Sequence, residues 1–186
     1  MLGETDLSLP FRSDTGNLAA VHNFARFSLH LLLPELSRVV YLDEDVVVRG
    51  DLVELYETDM GREGGGALAA VQRSNQPLKT YVNVLQPAVP SWLPSEAPSF
   101  NAGVMVIHLE RWRRRQASRL VAEWIALNAE RRLWLHGSQP PLLLLFHDEV
   151  GGWEVVEGWI HGCSKLCTAR WCLCTGPGMW MVWGIA

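Results

Sequence analysis

Four apolar residues in a row, Val39-Val40-Tyr41-Leu42, run straight into the acids Asp43-Glu44-Asp45, and Val46-Val47-Val48 continues the apolar character. A short apolar run of this kind suits a strand buried on both faces, which requires covering layers on each side. The flanking sequence supplies them. Ala20, Phe24, Phe27 and Leu31 recur at helical spacing and predict a helix over 17–33, capped by Asp14 or Asn17 and stopped by Pro34. Leu52 to Tyr56 predict a short helical turn, Gly64-Gly65-Gly66 a loop, and Ala67 to Val71 a second strand. Prolines 87, 90, 94 and 98 exclude a regular helix or central strand over 86–98, leaving a surface connection or the rim of an acceptor site. Val104 to Leu109 predict a further strand, and Glu110 to Leu133 one long helix with Leu120, Trp124 and Leu127 along its apolar row. Leu142 to Phe146 are a strand or a buried helical turn. Alternating strands and helices predict an α/β fold with a mostly parallel sheet flanked by helices.

At 186 residues the chain corresponds to one domain or a fragment of a larger one. Hydrophobic residues at 48% and charged residues at 19% argue against intrinsic disorder. A net charge of −4 lacks the basic balance of a general nucleic-acid binder. No run approaches the roughly 18 apolar residues of a helical membrane span. The acidic start, Met1 to Asp6, does not read as a signal peptide. The sequence changes character after Val150. Cys163, Cys167, Cys172 and Cys174 are all the cysteines, and five of the nine tryptophans lie in 153–183. The cysteine spacing lacks the paired geometry of a zinc ribbon. Residues 1–150 therefore read as the folded domain and 151–186 as an atypical Cys/Trp/Gly-rich tail, of the kind a misread splice boundary or frameshift produces.

The chemistry concentrates at Asp43 and Asp45. In an extended chain these positions share a face. Two carboxylates on one face repel unless a cation lies between them, and a hard divalent ion such as Mg²⁺ or Mn²⁺ satisfies both. Such an ion neutralises charge on a departing diphosphate. The pair also falls beyond the carboxyl end of a strand, where open α/β sheets bind ligands. Phe100-Asn101-Ala102-Gly103 reads as a turn before the next strand. There Asn101 offers an amide that donates and accepts, and Ala102 and Gly103 leave room for a sugar.

Taken together, these segments resemble glycosyltransferase family 8, the retaining nucleotide-sugar enzymes of GT-A fold, and its galacturonosyltransferase-like branch of plants and green algae in particular. The matching stretches are His22-Asn23-Phe24-Ala25-Arg26-Phe27, Leu33-Pro34-Glu35-Leu36, Arg38 to Val48, Phe100 to Val106, Arg111-Trp112-Arg113 and Gly137-Ser138-Gln139-Pro140-Pro141-Leu142. The resemblance implies that Asp43 and Asp45 bind Mn²⁺ (or Mg²⁺) and the donor diphosphate. It implies that Arg26 lies near the diphosphate and sugar, and that Asn101, Ala102 and Gly103 line the donor sugar. It further implies transfer from a UDP-sugar, galacturonic acid favoured, to a glycan or polysaccharide hydroxyl, in the Golgi. No catalytic nucleophile is named by the sequence. The family's first strand is expected before residue 15, and its late H-x-x-G-x-x-K-P-W motif has no counterpart here. His161 stands at the wrong spacing to replace that motif's histidine. The resemblance is thus to a GT-A domain incomplete at both ends, either active or an inactive truncated paralogue with weak UDP and metal binding.

Two further clusters carry expectations. Arg111, Arg113, Arg114, Arg115 and Arg119 read as a solvated helix face or as an attractor for an acidic polysaccharide acceptor. His147-Asp148-Glu149 reads as a loop or a metal site. The strand-Asp43-Glu44-Asp45 pattern also resembles the first motif of haloacid-dehalogenase-type phosphatases, with Asp43 as nucleophile. That chemistry needs a downstream lysine and a later acidic pair; only Lys79 and Lys165 are present and no suitable pair follows.

Overall fold

In the computed structural model, the described residues are 22–43, 46, 48, 51–61, 65–135, 137–148 and 181–183. Asp45, the Asp14 and Asn17 caps, Gly64, Glu149, His161 and the four cysteines lie outside them.

The chain begins with α1 (His22–Ala25), a 3-10 turn (Arg26–Ser28) and α2 (Leu29–Leu32), followed by β1 (Arg38–Leu42) and α3 (Val53–Tyr56). Next come β2 (Leu68–Pro77), a second 3-10 turn (Leu78–Thr80) and β3 (Pro98–His108). Helices α4 (Leu109–Arg114), α5 (Ala117–Arg131) and α6 (Gln139–Phe146) precede β4 (Met181–Trp183). The sheet order is β2-β3-β1-β4.

Every pairing among the described strands is antiparallel, which corrects the expectation of a mostly parallel sheet. Apolar runs report that both faces of a strand are covered, and they do not report its direction. The coverage is as expected. Val39, Tyr41, Leu68, Ala70, Met105 and Ile107 point into the larger core with the helices, while Val40, Leu42, Ala69, Val104 and Val106 pack with Leu55 and Met60 on the other face. Three residues of the Cys/Trp/Gly-rich stretch form β4 against β1.

The expected helix over 17–33 is interrupted. A 3-10 turn winds more tightly than an α-helix and shifts the phase of the side chains. Leu29 is therefore buried, whereas Leu31, predicted on the apolar row, is 61% exposed. The same shift turns Arg26 inward. The expected single helix over 110–133 is likewise split, by Gln116 in the left-handed region (φ 53°). Neither break carries a glycine or proline to announce it. Across the second break, Trp112 stacks on Phe146 at 5.3 Å and its Nε1–H donates to Ser118 Oγ at 2.8 Å. The 142–146 run, left open between strand and helix, lies in α6, with proline in its first turn and buried residues on almost every side. No described helix is long and apolar enough to cross a membrane.

Of the arginines expected on a solvated face, Arg114 and Arg119 are exposed, but Arg111 and Arg113 are not part of such a face. Arg111 donates to the carbonyls of Met60 (2.8 Å), Gly61 (2.6 Å) and Gly66 (3.0 Å). Arg113 reaches those of Leu33 (2.9 Å) and Pro34 (3.0 Å), among others at the end of α2. These two side chains tie loops to the core.

Two histidines titrate below the ordinary value of 6.5. Burial is the main cause for both, reinforced by Arg113 beside His30 and by Arg111 beside His108. The fold therefore favours the neutral rings. Their contribution to stability is complete above about pH 6.5 and is lost as pH falls below it, because the unfolded chain takes up protons the fold resists. The melting temperature is expected to decline from about pH 7.5 to 5.5, and the double variant His30→Gln, His108→Gln should flatten that decline.

Candidate functional site

The site grows from the end of β1. Tyr41 and Asp43 share a face of the extended chain, and the Tyr41 hydroxyl donates to Asp43 Oδ1 at 2.7 Å. Arg26 Nη2 donates to the same oxygen at 2.9 Å. The guanidinium also donates to the carbonyls of Ala102 (2.8 Å) and Asn23 (3.1 Å), and it lies over the Tyr41 ring, 4.5 Å from the centroid. Arg26 is 5% exposed, and Asp43, with its side chain 33% exposed, is its counter-charge. A buried cation is tolerated only when paired and hydrogen-bonded, and this one is both.

The facing strand is bulged here. Ala70 of β2 pairs with Met105, but the next residue, Val71, pairs with Asn101. Residues 102–104 therefore have no partner on β2, and such irregularities re-aim the chain next to binding sites. This corrects the expectation that 100–103 form a turn before the strand, since they lie within β3. On the other side the ladder extends, with the Asp43 amide donating to the Gly103 carbonyl at 2.7 Å. Asn101 Oδ1 accepts from the Gly103 amide at 2.7 Å, and Gln139 Oε1 accepts from the Ala102 amide at 3.2 Å. The Ala102 peptide is thus held between Arg26 and Gln139.

Gly103 cannot carry a side chain without disturbance. A Cβ there would stand 2.9 Å from Asp43 Oδ2 and 3.0 Å from Asn101 Oδ1. Gly103→Ala should displace the Asp43 carboxylate and cost about 1–3 kcal/mol by overpacking. Chemical denaturation would measure that loss.

Arg26, Asp43, Asn101, Ala102 and Gly103 all line one cavity of about 790 Å³. Asn23 and stretches 79–83, 132–135 and 137–140 complete its described wall. The structure thus gathers five of the six residues singled out from sequence; the sixth, Asp45, lies outside the described residues. Two contributors were not singled out. Tyr41 is readable only as the same-face neighbour of Asp43. Gln139 stands within a matched stretch, and its Nε2 is buried with no hydrogen-bond partner among the described residues.

The donor set can be tested against a divalent cation. Asp43 Oδ1 already accepts from Tyr41 and Arg26, which leaves Oδ2 as the oxygen a cation would meet. Among the described residues no three His, Cys, Asp or Glu side chains cluster as a metal site, which also covers His147 and Asp148. His147 instead stacks on Trp92 at 5.4 Å. Asp43 thus fits as one ligand of a cation and needs others beside it.

Residues 8–154 match the profile of Glycosyl transferase family 8. The chain belongs to that family. It is 31% identical over 142 residues to probable galacturonosyltransferase 4 of Arabidopsis thaliana, covering 76% of this chain and 23% of that protein. It is 34% identical over 139 residues to probable galacturonosyltransferase-like 7 of the same plant, covering 69% and 36%. Glycosyltransferase 8 domain-containing protein 1 of Bos taurus is 30% identical over 155 residues, covering 73% and 42%. Among solved structures, the galactosyltransferase LgtC in complex with donor and acceptor sugar analogues matches with a TM-score of 0.52 at 27% identity, over 68% of this chain and 42% of that one. Mouse xyloside xylosyltransferase 1, at 18% identity and a TM-score of 0.55 over 85% and 58%, shares the fold. The GT-A type of α/β fold follows from these likenesses, as expected from the sequence. The chain spans less than half the length of these curated relatives.

Proposed function

We propose that this chain handles the donor in a retaining glycosyl transfer from a UDP-sugar to a hydroxyl of a glycan or polysaccharide, with Mn²⁺ or Mg²⁺ as cofactor. The observation that carries this reading is the Arg26–Asp43–Tyr41 knot on the wall of a cavity, packed against a glycine that cannot be enlarged. Asp43 and Asp45 would hold the cation. When bound, it would supply positive charge that stabilises the departing diphosphate.

The remaining work falls to the chain's own groups. Arg26 fixes the rotamer of Asp43 and acts as its counter-charge. The bulged backbone at Ala102 and Gly103 lets a sugar approach closely, and Asn101 holds that bulge in place. Gln139 Nε2 is a donor without an acceptor among the described residues, and burying such a group costs about 1–3 kcal/mol unless an oxygen meets it. Galacturonic acid is the favoured sugar because several relatives bear that name. The resemblance to the galacturonosyltransferase-like branch supports a Golgi location.

A second reading is a paralogue that binds UDP and metal weakly without transfer. The sequence observation behind it is that His161 does not reproduce the spacing of the family's late histidine motif. Metal-dependent UDP-sugar hydrolysis separates the two readings. The transferase reading predicts hydrolysis that disappears in Asp43→Ala and in Asp45→Ala; hydrolysis unchanged in both would remove the role of the pair.

A further inference from the structure

The cavity wall carries two cations that the proposed donor site does not use. Among the described residues three cations line it, Arg26, Lys79 and Arg132, with one acid, Asp43. Arg26 is spent on Asp43. That leaves Lys79 and Arg132, which come from other parts of the chain: the 3-10 turn after β2 and the residue that ends α5.

Arg132 stands in an unusual place. It ends α5 in the left-handed region (φ 51°), its amide donating to the Asn128 carbonyl at 2.8 Å. Glycine or asparagine takes this position without strain, and arginine does not. A basic residue near a helix C-terminus is favourable, but Arg131 already fills that role and does not line the cavity. The Arg132 side chain is exposed, and no described residue pairs with it. Strain held at a residue that lines a cavity points to function.

Lys79 is available too. Its 2.6 Å contact with Glu96 joins side chains that are 50% and 70% exposed. Such pairs are weak and exchange readily for another carboxylate. Apolar surface lies beside the two cations: Leu135 is 77% exposed and, like Tyr81 and Trp134, lines the same cavity. Cations next to apolar surface suit a ring with a carbon-bound face and a carboxylate, which is a uronic acid.

We infer that Lys79 and Arg132 form an acceptor subsite that recognises a carboxylate on the incoming glycan. This rests on the reading of the cavity as a glycosyl-transfer site, and it deepens that reading. It moves the acidic-acceptor contact away from the arginines at the start of α4, two of which hold backbone carbonyls, to the cavity wall. The diphosphate is not the natural partner of these two cations, because the proposed metal pair already answers its charge.

Calorimetric titration of the full chain tests this without requiring turnover. The titrants are an oligouronate and the same oligosaccharide with its carboxyl groups reduced to alcohols. The wild type should bind the acidic form about tenfold more tightly at low salt. Arg132→Gln and Lys79→Gln should each lose most of that preference. Arg132→Gly should lose it as well, while its melting temperature holds or rises because the strained position is relieved. Equal affinity of the wild type for both oligosaccharides overturns the subsite, as does a preference that survives in Arg132→Gly. Loss of the preference when UDP alone is added would instead assign the two cations to the donor phosphates. Cation-dependent UDP binding is measured separately, so failure of the subsite and failure of the donor-site reading are distinguishable.

Discussion

Asp43→Ala is expected to destabilise the protein by about 3 kcal/mol while also removing cation-dependent UDP binding. The first effect is the unusual one. Replacing a carboxylate from a cluster of acids often relieves repulsion and stabilises a fold. Here Asp43 is the counter-charge of Arg26, which is 5% exposed, and also the acceptor for the Tyr41 hydroxyl. Its removal takes an anion from beside that buried cation, whose other described partners are carbonyls and the Tyr41 ring. For a chain of this size the loss corresponds to a fall of about 6–12 °C in melting temperature. Asp43→Asn retains an oxygen to accept from Tyr41, and it should fall between alanine and the wild type. A melting temperature unchanged in Asp43→Ala would show that Arg26 does not depend on this partner.

Arg111→Met should cost about as much, roughly 3 kcal/mol, and leave UDP binding intact in whatever fraction remains folded. Its guanidinium holds the carbonyls of Met60, Gly61 and Gly66, three acceptors that methionine cannot satisfy. Urea denaturation and UDP titration of the same preparation would check both halves. Specific loss of acidic-glycan binding at wild-type stability would return this arginine to the acceptor role the sequence had suggested.

These two arginines show where the sequence was readable and where it was not. Hydrophobic runs located β1 and the start of β2, because a buried strand leaves an uninterrupted apolar signature. The four prolines marked the connection before β3. Strand direction was not encoded in those runs. The breaks at 26–28 and at Gln116 carry no glycine or proline, because tertiary contacts decide them: Arg26 turning onto Asp43, and Trp112 packing on Phe146. Leu31 was misplaced for that reason. Charge clusters were equally ambiguous, since a run of arginines reads the same whether it faces water or clamps carbonyls.

The candidate site was legible by motif more than by pattern. Asp43 and Asn101-Ala102-Gly103 are unremarkable singly; their joint resemblance to the family brought them together, and the structure places them on one cavity wall. The bulge that unpairs 102–104 from β2 left no mark of its own in the sequence. Tyr41 looked like one more core residue of the apolar run, because a buried tyrosine and a buried phenylalanine leave the same hydrophobic trace. Its hydroxyl matters only once Asp43 is seen on the same face. Gln139 was hidden among the apolar residues of α6.

The most direct test of the donor-site account is thermal unfolding of the wild type with UDP, in Mn²⁺ and in a chelator. A ligand at a hundredfold excess over its Kd stabilises a fold by about 2.7 kcal/mol, several degrees for a chain of this size. With Mn²⁺, UDP should raise the melting temperature by that amount; with the chelator it should raise it little or not at all. The same rise under both conditions, or none with Mn²⁺ at millimolar UDP, would contradict the assignment of Asp43 to a metal–diphosphate site.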